Sequence, residues 1–150
     1  MERILDWNKY LDTAAKMVSE GIVMLKNENN ALPLDTDKEV AVFGRIQFHY
    51  YKSGTGSGGM VNVTKVVNIL DGLIDNGVKV NEKLLGTYRK WDKENPFDLG
   101  EGWGGEPWSQ KEMPLDEGLV KETAKSCETA IVIIGRTERQ LRHRHRTSRQ

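Results

Sequence analysis

The chain has one cysteine, Cys127, in 150 residues. A single thiol excludes an internal disulfide and a zinc site made of cysteines alone, so Cys127 is expected to fill core. No apolar run approaches the ~20 residues that a membrane-spanning helix needs, which excludes a spanning segment. The first residues, MERILDWNKYLD, lack the uninterrupted apolar stretch and small-residue cleavage site of a secretory signal, so the cytoplasm is the expected location. Net charge is also absent: 22 basic and 22 acidic residues give a formal balance of zero.

That balance is uneven. Residues 136–150 hold six arginines and one acid, leaving 16 basic and 21 acidic residues before them. An acidic body is therefore followed by a basic tail, and the two read as different material. With 37% hydrophobic and 29% charged residues, the composition suits one globular domain. A chain of this size buries roughly 70% of the surface that its unfolded form exposes. The expected division is a domain over residues 1–137 and an irregular basic tail over 138–150.

Hydrophobic periodicity predicts an α/β fold. Trp7, Leu11, Ala14, Ala15 and Val18 recur at helical spacing behind a candidate N-cap, Asp6, and Gly21 ends the pattern. Ile22 to Leu25 reads as a short strand or a last helical turn, and Asn27 to Asn30 as a turn. Val40 to Gly44 (VAVFG) has the look of a buried parallel strand that delivers a loop to a site. Val63, Val66, Val67, Leu70, Leu73 and Ile74 predict a helix capped by Asn62 and closed by Asn76-Gly77. Val78 and Val80 suggest a strand, Leu84 to Trp91 and Asp116 to Cys127 two helices, and Ala130 to Gly135 (AIVIIG) a last strand. Strands separated by helices imply a mostly parallel sheet flanked by helices on both faces, an α/β sandwich. In such a sheet ligands sit beyond the carboxyl ends of the strands, so the segments after Gly44 and Gly135 are where function is sought.

The first of these, RIQFHYYKSGTGSGGMVNV, is glycine-rich. Its candidate binding residues are Lys52, Ser53, Gly54, Thr55, Gly56, Ser57, Gly58 and Gly59, since glycines let the backbone approach a ligand and the hydroxyls hydrogen-bond to it. Gly54 to Gly59 satisfies G-x-G-x-x-G, which opens a nucleotide reading. However, a dinucleotide fingerprint follows its strand directly, whereas here about ten residues intervene. Met60 stands where a Walker loop has lysine. A glycine loop with no ligand is the bland alternative.

Several ordered motifs carry a resemblance: KNENNALPL (Lys26 to Leu34), VAVFGR (Val40 to Arg45), YYKSGTGSGG (Tyr50 to Gly59), NPFDLGEGWGGEPWSQKEMPL (Asn95 to Leu115) and AIVIIGRT (Ala130 to Thr137). In this order they resemble the C-terminal-type α/β domain of family 3 glycoside hydrolases of the β-glucosidase kind, in the subgroup where that domain precedes the barrel. The resemblance implies part of a retaining enzyme that hydrolyses β-glucosides or β-linked oligosaccharides without a cofactor or metal. The nucleophile would belong to a (β/α)8 barrel downstream, so this chain alone is expected to be inactive. Retention requires two carboxyl groups about 5 Å apart.

The resemblance also implies an acid/base glutamate after the last strand, in a GED-like stretch. Gly135-Arg136-Thr137 is kept, but ERQLRHRHRTSRQ follows. Glu138 is the candidate, at an offset that departs from the family, and a shifted reading frame or a truncation would explain the departure. A sugar-binding module without catalysis, or a nucleotide or polyanion binder using the basic tail, are the alternatives; the acidic body offers no nucleic-acid motif. Trp103 and Trp108, beside Glu101 and Glu106, are expected to pack on the barrel or rim the pocket. Trp7 and Trp91 are expected in the core, and His49 on the surface.

Overall fold

The computed structural model describes residues 5–49, 62–63, 65–101, 107 and 109–135. They belong to two compact units, Met1–Pro33 and Leu34–Gln150.

The first unit holds helix α1, Trp7–Gly21. Asp6 starts it as predicted: its backbone is extended and its carboxylate accepts from the Lys9 amide at 3.1 Å. At the other end the extended Ile22 returns its amide to the Ser19 carbonyl. No residue of α1 is buried, and Trp7 is 64% exposed, contrary to the expected core position; its ring meets Tyr10 edge-on instead. Ile22 to Leu25 forms neither strand nor helical turn, because a strand needs a partner's ladder and no described strand borders it. The turn expected at Asn27 to Asn30 is present. Asn29 and Asn30 take positive φ (55° and 53°), and the Asn27 side chain bonds both the amide and the carbonyl of Leu32.

In the second unit, the described residues form β1 (Glu39–Phe43), α2 (Ile69–Asp75), β2 (Lys79–Val80), α3 (Glu82–Glu94), α4 (Glu117–Ser126) and β3 (Thr129–Val132). The strands make a parallel sheet of order β2-β1-β3, with Val40 opposite both Val80 and Thr129. Alternation along β1 divides the core. Val40 and Val42 pack with Leu70 and Leu73 of α2, while Ala41 and Phe43 pack with Leu84 and Tyr88 of α3 and Leu119 of α4. Helices thus cover both faces, as the pattern predicted, and each fully buried valine or leucine contributes roughly 1.5–3 kcal/mol. Cys127 is buried in the second cluster and Trp91 packs against it.

Two elements differ from expectation. The helix expected from Val63 begins only at Ile69, where the Asn68 side chain accepts from the Asp71 amide at 2.7 Å. Val63, Val66 and Val67 lie outside it, exposed. β-Branched residues lose χ1 freedom in a helix, so this stretch has little to gain from helical structure, and Asn68 supplies the stronger start. Its closure at Asn76-Gly77 is as expected, with Gly77 at φ 78°. The last strand ends at Val132 rather than Gly135, after which only the Ile133 amide continues the ladder, donating to the Phe43 carbonyl. Among the described residues no helix is long and apolar enough to cross a membrane.

Candidate functional site

The sheet order sends the chain from β1 to one side for β2 and to the other for β3. The crevice between the carboxyl ends of β1 and β3 is therefore the topological switch point, where open α/β sheets bind ligands. A cleft of about 400 Å³ opens there, walled by Phe43 to Ile46 and Val132 to Gly135, with Tyr88 and Glu112 among its polar groups.

Close backbone approach shapes both walls. Gly44 has φ 107°, and a Cβ on it would fall inside the shell of the Ile133 carbonyl oxygen. A Cβ on Gly135 would overlap the Ile46 side chain. Glycine at these positions lets the two strand ends meet.

The Gly44 amide donates to the Tyr88 hydroxyl at 3.0 Å, inside the protein. Burial pushes the phenol of Tyr88 up, the Gly44 amide opposes this, and the negative charge of Glu112 adds to the rise. The folded state thus holds the phenolic proton more tightly than the unfolded one. The associated stability is intact below about pH 10 and is lost as the pH rises through the raised folded value. Urea unfolding should show this loss above about pH 10, and Tyr88→Phe should flatten it while costing about 1 kcal/mol at the lower pH.

After Gly44 the chain makes a 3-10 turn, Arg45–Gln47, whose three residues are all buried. Arg45 donates to Asp92 Oδ1 and the Asn95 carbonyl through Nη2, each at 2.7 Å, and to the Lys111 carbonyl through Nη1 at 2.9 Å. Its guanidinium lies over the rings of Trp91 and Phe97. The Arg45 amide donates to both carboxylate oxygens of Glu112, which also accepts from the Met113 amide. Gln47 Nε2 donates to the Gly44 carbonyl at 2.9 Å. His49, expected on the surface, is half-buried: Nε2 meets Asp92 Oδ2 at 2.7 Å, and the ring lies 4.7 Å from that of Phe97.

The residues predicted from sequence to bind or react, Lys52 to Gly59 and Glu138, lie outside the described residues, as do Trp103, Trp108 and Glu106. Glu101 is exposed. Sequence reading missed Arg45, Asp92 and Glu112, and it read Tyr88 only as part of a helix. The available signal was position, since Arg45 directly follows the strand-ending glycine, at the sheet's carboxyl edge. No group of three or more histidine, cysteine, aspartate or glutamate side chains among the described residues is placed to hold a metal.

Residues 22–148 match the model of the glycosyl hydrolase family 3 C-terminal domain. The chain belongs to this family. A β-glucosidase of Ruminococcus albus is 62% identical over 133 residues, which are 89% of this chain and 14% of that protein. β-Glucosidase A of Butyrivibrio fibrisolvens is 31% identical over 137 residues, 90% of this chain and 16% of that protein. Among solved structures, a β-glucosidase from Paenibacillus barengoltzii superposes with a TM-score of 0.78 at 54% identity, covering 84% of this chain and 14% of that one. β-Glucosidase 3B from Thermotoga neapolitana in complex with glucose gives 0.72 at 29%, covering 89% and 18%. The family 3 chain thus spans only a small part of the enzymes it resembles.

Proposed function

We propose that this chain is the pocket-lining α/β part of a retaining β-glucosidase-type hydrolase, acting on O-glycosidic bonds of β-glucosides. The observation that carries this reading is the 62% identity with the Ruminococcus albus β-glucosidase. The cleft at the switch point supports it, because the stretches that leave its two walls lead into Lys52 to Gly59 and towards Glu138.

Retaining hydrolysis needs two carboxyl groups about 5–5.5 Å apart, one to attack the anomeric carbon and one to protonate the leaving oxygen. Among the described residues lining the cleft, Glu112 is the one carboxylate, and its oxygens are occupied by the Arg45 and Met113 amides. It serves the backbone. The nucleophile is then supplied by a (β/α)8 barrel of the same polypeptide, and Glu138 is the candidate acid/base. The glycine-rich segment would place backbone amides and the hydroxyls of Ser53, Thr55 and Ser57 against sugar hydroxyls. A cytoplasmic site of action is part of the same proposal; a lone free thiol fits a reducing compartment.

The chain by itself is expected to leave an aryl β-glucoside intact. Residues 1–135 grafted into the Ruminococcus albus enzyme in place of the matching segment should keep its kcat/KM within about tenfold, a change of about 1.4 kcal/mol in the barrier. A folded but inactive graft would sink the proposal. Millimolar binding of glucose or cellobiose by the isolated chain would instead favour a sugar-binding module.

A further inference from the structure

Two side chains of the segment leaving β1 converge on one carboxylate of α3. Arg45 Nη2 takes Asp92 Oδ1 and His49 Nε2 takes Oδ2, each at 2.7 Å. The Arg45 side chain is 2% exposed, that of Asp92 18% and that of His49 34%, so the bridge runs from the interior outwards. The turn between them is held locally by two backbone bonds and by Gln47 Nε2 on the Gly44 carbonyl. Its backbone bonds are Gln47 to Gly44 at 3.2 Å and Phe48 to Arg45 at 3.1 Å, in the poorer geometry of a 3-10 turn.

We propose that Asp92, acting through Arg45 and His49, is a positioning residue for the cleft. By pinning both ends of the turn to one helix, it fixes the course of the backbone from the cleft wall at Gly44 to His49. As a role in catalysis this rests on the glycosidase reading. Neutralising the buried guanidinium would need only the Arg45 arm. The His49 arm adds the directional constraint, and Phe97 stacked on the ring holds it in place.

Amide hydrogen exchange on the full chain tests this. His49→Phe keeps a ring against Phe97 and leaves the Arg45–Asp92 pair intact, so the fold is retained while the second arm is lost. The Gln47 and Phe48 amides should then exchange about tenfold faster, as expected for losing one hydrogen bond to a charged group. The amides of Ala41 and Val42 should not change. His49→Gln, whose side-chain amide donates to a carboxylate, should restore most of the protection. Unchanged exchange at Gln47 and Phe48 in His49→Phe would overturn the proposal, and so would an acceleration shared equally by β1, which would mark a role in general stability. No sugar enters the measurement. An inactive graft together with the expected acceleration at Gln47 and Phe48 in His49→Phe would therefore count against the glycosidase assignment and not against the clamp.

Discussion

Gly44→Ala is expected to lower the stability of the chain by about 2–5 kcal/mol, combining positive-φ strain with overpacking. Gly44 sits at φ 107°, and its missing Cβ is the space into which the Ile133 carbonyl projects. An added methyl must push β3 away from β1 just where Ile133 donates to Phe43. The displaced atom is backbone, so rotamer changes cannot absorb it. Urea unfolding should show a lower midpoint with an unchanged slope. Gly86→Ala on α3, where an added Cβ meets nothing within 4 Å, is the matched control and should be neutral or slightly stabilising. Equal stability of the Gly44→Ala and wild-type chains would remove the close-approach account of the cleft.

Arg45→Met should cost about 3–5 kcal/mol, the usual penalty for leaving one partner of a buried ion pair alone. The pair is built into the interior: the Arg45 side chain is 2% exposed and also satisfies the carbonyls of Asn95 and Lys111. Methionine fills some of the volume between Trp91 and Phe97 but leaves those acceptors and Asp92 short of a donor. Arg45→Lys keeps the charge without the planar fork, so it should lose about 1–3 kcal/mol. A double-mutant cycle with Asp92→Asn, followed by urea unfolding, measures the coupling directly, and a value of about 0.5–3 kcal/mol is expected for residues in contact. A loss below about 1 kcal/mol for Arg45→Met would mean that the pair behaves like a surface bridge.

Local chemistry was legible wherever a few neighbouring residues decide the outcome. Asp6 and Asp116 start their helices because a side-chain carboxylate reaches an amide three residues on, and Asn76-Gly77 stops one because Gly77 tolerates positive φ. The VAVFG run was readable as a buried parallel strand because both of its faces are apolar. The helix expected from Val63 was misplaced for the opposite reason: its valines had the right spacing, and spacing does not reveal which of two asparagines caps the helix.

The partners of Arg45 were not legible. Asp92 lies on a helix whose core residues are Leu84, Leu85 and Tyr88, and nothing in its local sequence distinguishes it from the other acids there. His49 looked like a surface residue because Asp92 and Phe97, which hold its ring, are more than forty positions away in the chain.

The amino-acid sequence alone was enough to indicate the α/β class, the family resemblance and the two strand ends between which a site should lie, because periodicity, caps and ordered motifs are properties of neighbouring residues. Only the tertiary structure decided that Gly44 and Gly135 bring those ends into contact, and that Asp92 joins Arg45 to His49 beside them. Such contacts arise when the sheet and α3 pack together, and the pairing of distant side chains leaves no periodic trace in the chain.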